Sequence, residues 1–358
     1  MYFRSLFSKR RKVVLFSLYV VYLLLLIEVV SRGFWTVSYG VPFLRSAEII
    51  YVFYPELREV RQTQIHSEDG YFDILLLGGS VLEDHFGNIE QLLLDKLVFR
   101  TKREIRIHNL SHSAHTSLDS YYKYKHLLTK SFDLVLFYHG INEVRANNVP
   151  PSLFKSDYSH YAWYDRVNEL GKHNEISLIT FPYTFKWFLL AIKQEVGLTD
   201  YVSMYRPKKE WVEHGYDIKT MASFEKNLTN ILDIAKSKKE CVLLMTFAYY
   251  VPEDYSETKF KNKSLDYGFD DSLYPHPIEI WGKPENVVAG ISAHNAIIED
   301  VAERYNNVTF IDQNKLIPKN GQYFNDICHF TYEGCKIFVE NICLLGKVCG
   351  HSPHPLGR

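Results

Sequence analysis

Aliphatic runs alternate with helical patterns through residues 71–346. This alternation predicts an α/β domain, a parallel sheet with helices on both faces. Two further observations agree. The first run, Ile74–Leu77, is continuously apolar, as a strand buried on both faces must be, and it ends in Gly78-Gly79-Ser80. An apolar fraction of 46% and a charged fraction of 23% over 358 residues belong to a folded chain with a sizeable core.

The chain begins with a basic tip (Arg4, Lys9, Arg10, Arg11, Lys12), then an apolar stretch from Val13 to Val30 with Glu28 as its one charge. Such a stretch, at a rise of about 1.5 Å per residue, covers about 27 Å, the thickness of a hydrocarbon core. Tyr2, Phe3, Phe34, Trp35 and Tyr39 flank it as interface anchors. Residues 1–33 therefore read as a cytoplasmic tip and transmembrane signal anchor. The positive-inside bias keeps the N-terminus cytoplasmic and places the remainder in the periplasm or outside the cell. A cleaved signal peptide and a buried core helix are the alternatives; no small-x-small cleavage site follows the stretch. Residues 34–70, aromatic and then polar, read as a membrane-proximal linker.

Residues 71–346 form the α/β domain. Phe72–Leu77, Glu104–His108, Asp133–Tyr138, Cys241–Tyr249 and Val308–Asp312 are the expected strands. Asn88–Phe99, Leu118–Thr129, Val287–Arg304 and Thr331–Leu344 are the expected helices. Two stretches, about 150–239 and 252–284, break the rhythm and are rich in tyrosine, tryptophan and proline. They read as insertions over the strand ends, a cap or substrate wall, with a helical piece at Phe181–Glu195. Their aromatic side chains can stack on sugar rings, although such residues more often fill a core. Residues 347–358 are a tail.

Net charge is −1, unevenly spread: residues 1–32 carry six basic groups and one acid, and the remainder is mildly acidic. A body without a basic stripe argues against nucleic-acid binding. The five cysteines contain no Cys-x-x-Cys pair, so a zinc ribbon or redox motif is not expected. A disulfide of Cys343 with Cys349, or of Cys335 with either, competes with free thiols.

Four blocks converge on the carboxyl edge of such a sheet, where open α/β folds bind ligands. They are Gly78-Gly79-Ser80, the loop Asn109–Ser117, His139-Gly140-Ile141-Asn142-Glu143, and Asn325-Asp326-Ile327-Cys328-His329. A serine hydroxyl needs a base to act as a nucleophile, and His329 can serve. Asp326 can fix the imidazole tautomer. The Ser80 N–H, an N–H of the second block and the Asn142 amide can hold an oxyanion. Singly, each block has a bland reading: a turn, a helix cap at Asn142, a surface pair at Asp326 and His329. His85, His112, His115 and His139 near the same edge could suggest zinc. No acidic ligand stands at a recognisable spacing, and serine chemistry needs no metal, so no metal or cofactor is expected.

The ordered set Ser80, Gly140-x-Asn142 and Asp326-x-x-His329 resembles the SGNH (GDSL-like) hydrolase superfamily, over roughly residues 70–145 and 290–345. The resemblance implies a flavodoxin-like three-layer α/β/α sandwich around a five-stranded parallel sheet. It implies metal-free ester hydrolysis through an acyl-serine, or acyl transfer on polysaccharides. Ser80, Asp326 and His329 become the catalytic residues, Ser80, Ala114 and Asn142 the oxyanion hole, and Gly79 and Gly140 its supports. Two departures stand out. Gly79 replaces the usual aspartate of the first block. The second block lacks the usual glycine, so Ala114, or alternatively Ser111, supplies the N–H; a left-handed alanine would cost about 1 kcal/mol. Glu143 receives no catalytic role. The expected substrate is an acylated small molecule, glycan or lipid of the cell envelope, and the alternative is a non-catalytic relative that binds a glycan or an envelope partner. Nothing in the sequence sets the oligomeric state.

Overall fold

The structure, a computed structural model, describes residues 2–66, 69–98, 103–176, 179–199, 201–202, 208–270 and 275–345, with side chains from residue 11 onward except at 174–176, 209 and 345. The chain divides into two compact units. One comprises residues 1–55 and 162–201, the other residues 56–161 and 202–358.

The larger unit is the α/β domain. Its strands are β1 (Tyr71–Gly78), β2 (Glu104–Asn109), β3 (Leu134–Tyr138), β4 (Cys241–Met245) and β5 (Val308–Ile311). They form one parallel sheet in the order β2-β1-β3-β4-β5. Ile74 and Leu76 of β1 join a core cluster with Leu93 and Phe338. Leu75 and Leu77, which alternate with them, are also buried, so both faces of the strand are covered. The β1-to-β2 connection runs one way and all later ones run the other. The switch point therefore lies beside β1, which is where Ser80 follows.

With α1 reserved for the N-terminal helix (Tyr2–Tyr39), the sheet is covered by α2 (Ile89–Leu97), α3 (Ser117–Lys125), α4 (Ile141–Asn147), α7 (Met221–Lys238), α8 (Pro284–Glu303) and α9 (Tyr332–Leu345); α5 (Ala162–Ile176) and α6 (Phe181–Glu195) belong to the smaller unit. Helices α3, α7 and α8 pack in sequence with one another, and α2 packs on α9. This is the expected three-layer sandwich. The fourth strand ends at Met245, short of Tyr249, because the chain leaves the sheet there to carry Phe247 and Ala248 into the core.

The stretch 150–239 does not form a single insertion. Its last part, α7, buries Phe224, Leu228, Ile231, Leu232 and Ala235 and is the crossover helix that a right-handed β3-to-β4 connection requires. Residues 162–201 fall in the smaller unit. The second stretch does lie on the sheet's carboxyl edge: Gly268 N–H donates to Phe324 O (2.9 Å), and Asn325 Nδ2 donates to Asp270 O (3.2 Å). The expected tail lies outside the described residues.

In the smaller unit α1 runs without a break through Phe34–Tyr39, so the span read as a linker starts as helix. Within Arg11–Tyr39 an 18-residue stretch has a mean hydropathy of 2.7, and the helix is long and apolar enough to cross a membrane. Past the helix, Val41, Ile49, Ile50, Phe53 and Tyr54 are buried, which makes this span packed structure rather than a tether. Trp35 is its centre. Its ring stacks on Tyr183 (5.6 Å between centroids) and its Nε1 donates to Thr184 Oγ1 at 2.8 Å.

Candidate active site

In the sheet register Gly78 pairs with Tyr138, and Leu76 pairs with Asn109. β1 and β3 thus end level and β2 ends two residues earlier, and the three loops that follow open on one edge. The fourth block joins them through a backbone bond from Tyr250 N–H to Ile327 O (2.9 Å).

Ser80 starts a short 3-10 turn directly after β1. Its Oγ lies 2.8 Å from His329 Nε2. His329 Nδ1 lies 2.7 Å from Asp326 Oδ2. The carboxylate is fixed further by three backbone N–H groups: His329 (2.8 Å) and Cys328 (2.9 Å) to Oδ1, and His276 (2.9 Å) to Oδ2. Burial opposes ionisation of Asp326, but the His329 ring and these N–H donors outweigh it and hold its carboxyl below the usual range. The Phe86 ring stacks on the imidazole at 4.7 Å and 16°, and Trp281 flanks it at 6.2 Å. Ser80 is 9% exposed, whereas Asp326 and His329 are fully covered, so the serine is the accessible end of the chain of groups.

Asn142 lies on the first turn of α4 and its Nδ2 donates to His115 O at 2.8 Å. An amide nitrogen carries two hydrogens, so a second donor remains. A Cβ on residue 79 would come within 2.9 Å of Asn142 Nδ2, and a Cβ on residue 140 within 2.7 Å of Phe247 Cβ. Both glycines are therefore required by close approach.

Ala114 has φ +64°, the left-handed conformation that glycine adopts without strain. Its N–H and that of Ser80 have no hydrogen-bond acceptor among the described residues, whereas the Ser111 N–H is taken by Asn109 Oδ1 at 2.8 Å. Of the two residues considered for the second block, only Ala114 offers a donor.

The loop that holds Ala114 is braced by residues that carry no motif in the sequence. Glu83 accepts from both Ser113 N–H and Ser113 Oγ. Lys123, fully buried on α3, donates to Leu110 O (2.6 Å), contacts His115 Nδ1 (2.8 Å), and pairs with Glu56 (2.5 Å). Burial lowers the Lys123 pKa, opposed by Glu56 and Asp119. His276 and Phe86 beside the triad are equally unmarked. The helical spacing of Ser120 and Lys123, both buried polar groups on one face, was the available signal.

The histidines considered for zinc have other partners. His139 Nε2 bonds Ser120 Oγ (2.7 Å), His115 Nδ1 meets Lys123 Nζ (2.8 Å), and His112 Nδ1 meets Ser113 O (3.1 Å). Asp326, Cys328 and His329 have ligand atoms within 4.8 Å of one another. Both His329 nitrogens are already engaged, and burial pushes the Cys328 thiol well up, away from the thiolate a metal needs. Cys335 is a free buried thiol, which removes it from the disulfides considered; Cys349 lies outside the described residues.

No protein-family model and no curated protein matches the sequence. Several solved structures are similar in fold. A GDSL-like lipase from Bacteroides thetaiotaomicron is 15% identical with a TM-score of 0.42, over 81% of this chain and 96% of that one. A catalytic mutant of an acetylxylan esterase from Geobacillus stearothermophilus is 13% identical with a TM-score of 0.40, over 78% and 94%. A lipase from a goat rumen metagenome is 11% identical with a TM-score of 0.41, over 77% and 99%. At these identities and scores, function rests on the site itself.

Proposed function

We propose that this chain is a serine esterase of the SGNH type that acts on an acyl ester of the cell envelope. The observation that carries the reading is the unbroken series Ser80 Oγ, His329 Nε2, His329 Nδ1, Asp326 Oδ2, with links of 2.8 and 2.7 Å. In this reading His329 Nε2 takes the Ser80 proton as Oγ bonds to the acyl carbon. The oxyanion that forms accepts from the Ser80 and Ala114 N–H groups and the second hydrogen of Asn142 Nδ2. The ester C–O bond then breaks, and His329 returns the proton to the departing alkoxide. Water, or a sugar hydroxyl, gives its proton to His329 and attacks the acyl-serine; the acyl–Oγ bond breaks, His329 returns the proton to Ser80 Oγ, and the acid or the acylated sugar leaves. Asp326 stays ionised throughout and stabilises the imidazolium.

The helix α1 serves here as an uncleaved anchor that holds the domain at the outer face of a membrane, with the N-terminus inside. Anchoring favours an O-acylated glycan or lipid as substrate. The test is hydrolysis of p-nitrophenyl acetate by the full-length chain in detergent. Ser80→Ala lowers turnover by a factor on the order of 10⁴ or more while the fold is kept. Turnover unchanged by that substitution would sink the assignment.

A further inference from the structure

Helix α6 carries an apolar stripe that its own unit leaves uncovered. Phe185, Phe188, Leu189, Ile192 and Val196 recur at i, i+3, i+4, i+7 and i+11, so they share one helix face. They are between 39% and 68% exposed, and Leu198 just beyond them is 74% exposed. The other side of the helix is packed: Tyr183, Thr184 and Leu190 are buried. Lys186 and Lys193 stand one residue after Phe185 and Ile192 and so border the stripe on one flank.

Two features tie this stripe to the apolar surface of α1. The Phe188 ring lies 4.8 Å from Phe34 of α1. The N-terminus of α6 is also fixed to the outer end of the apolar run. The Glu28 carboxylate accepts from Thr180 N–H (2.8 Å), Thr180 Oγ1 (3.0 Å) and Phe181 N–H (3.0 Å), and pairs with Arg32 Nε (2.6 Å). The one charge in the apolar run thus caps α6. Its neighbours Ile27, Val29 and Val30 are as exposed as the stripe.

We propose that α6 is a second membrane element, an interfacial helix whose Phe185–Val196 face lies in the phospholipid headgroup–acyl boundary beside α1. Lys193 then reaches toward the phosphates, while Lys186 is held by Glu169. The inference rests on reading α1 as a membrane anchor.

The test places the full-length chain in vesicles of phosphatidylethanolamine and phosphatidylglycerol, doped with a phospholipid that carries a photoactivatable diazirine on its acyl chain. After illumination, adducts are mapped by mass spectrometry. Adducts are expected on residues 185–198 as well as 13–30, and not at Val98 or Tyr216, which are equally exposed in the α/β unit. Phe188→Glu with Ile192→Glu should cut labelling of 185–198 at least tenfold and leave 13–30 labelled. Adducts on 13–30 alone, or cross-links from the stripe to a second copy of the chain, overturn the inference and leave the anchor intact. Adducts on neither segment overturn the anchor reading and the inference with it.

Discussion

Ser80 would be an ordinary turn residue without three atoms supplied from elsewhere: His329 Nε2, Asn142 Nδ2 and the Ala114 nitrogen. Each supports a separate prediction. In the proposed mechanism Asn142→Ala removes one oxyanion donor, and it should lower kcat by about 10²–10³ with little change in KM. Gly79→Ala pushes a methyl toward Asn142 Nδ2 and should produce a loss of the same kind. Steady-state kinetics on p-nitrophenyl acetate measures both, and a pure KM effect would contradict the oxyanion role of Asn142. Ala114→Gly relieves a left-handed alanine at φ +64°. It should keep activity and raise stability by up to about 1 kcal/mol in chemical denaturation. The second block was the hardest to place from sequence. Ala114 and Ser111 are both small residues in one loop, and only the Asn109 side chain, by occupying the Ser111 N–H, separates them.

At the scale of elements, α4 and α3 hold the site by burying polar groups. Glu143, next to Asn142, accepts from the Ser117 N–H that opens α3, while its Oε2 has no hydrogen-bond partner among the described residues. Burial, with a smaller push from Asp119, raises its pKa to about 7. An acid raised in the folded state stabilises fully below its unfolded value, about 4.3, and loses that contribution as pH rises toward 7. Stability measured by urea should therefore decline between about pH 5 and 7, and Glu143→Gln should flatten the decline. Lys123→Met leaves Glu56 without its ion partner and should destabilise by about 3 kcal/mol. Most elements were legible because their patterns are strong: Ile74–Leu77 of β1 and all of β3 are apolar, and α6 falls on its expected residues. The role of α7 was not. Its apolar face was readable, but the long aromatic stretch before it masked where the crossover began. That stretch splits because α6 finds partners in Trp35 and Phe34, a distant pairing that no local pattern announces.

For the molecule as a whole, the α/β unit brings four blocks spread over some 250 residues of sequence to one sheet edge. The smaller unit gathers the apolar N-terminal helix and an aromatic cluster. The sandwich was legible because strands that alternate with helices leave few topologies; the strand order that sets the switch point was not. The packed state of residues 41–65 was not, since short helices of four to six residues carry too few positions to show a period. The site also sets an acid limit. Asp326 is held below its ordinary range, so its contribution to stability is complete above about pH 4 and is lost as pH falls through the folded value. Asp326→Asn should remove that acid sensitivity and lower turnover by about 10⁴.

The most direct measurement is covalent labelling of the full-length chain with a fluorophosphonate, followed by peptide mass spectrometry. The account predicts a single stoichiometric adduct on Ser80 that disappears in His329→Ala, because the hydroxyl then lacks its base. Failure of the folded protein to label at Ser80, or labelling that is unaffected by the loss of His329, would contradict it.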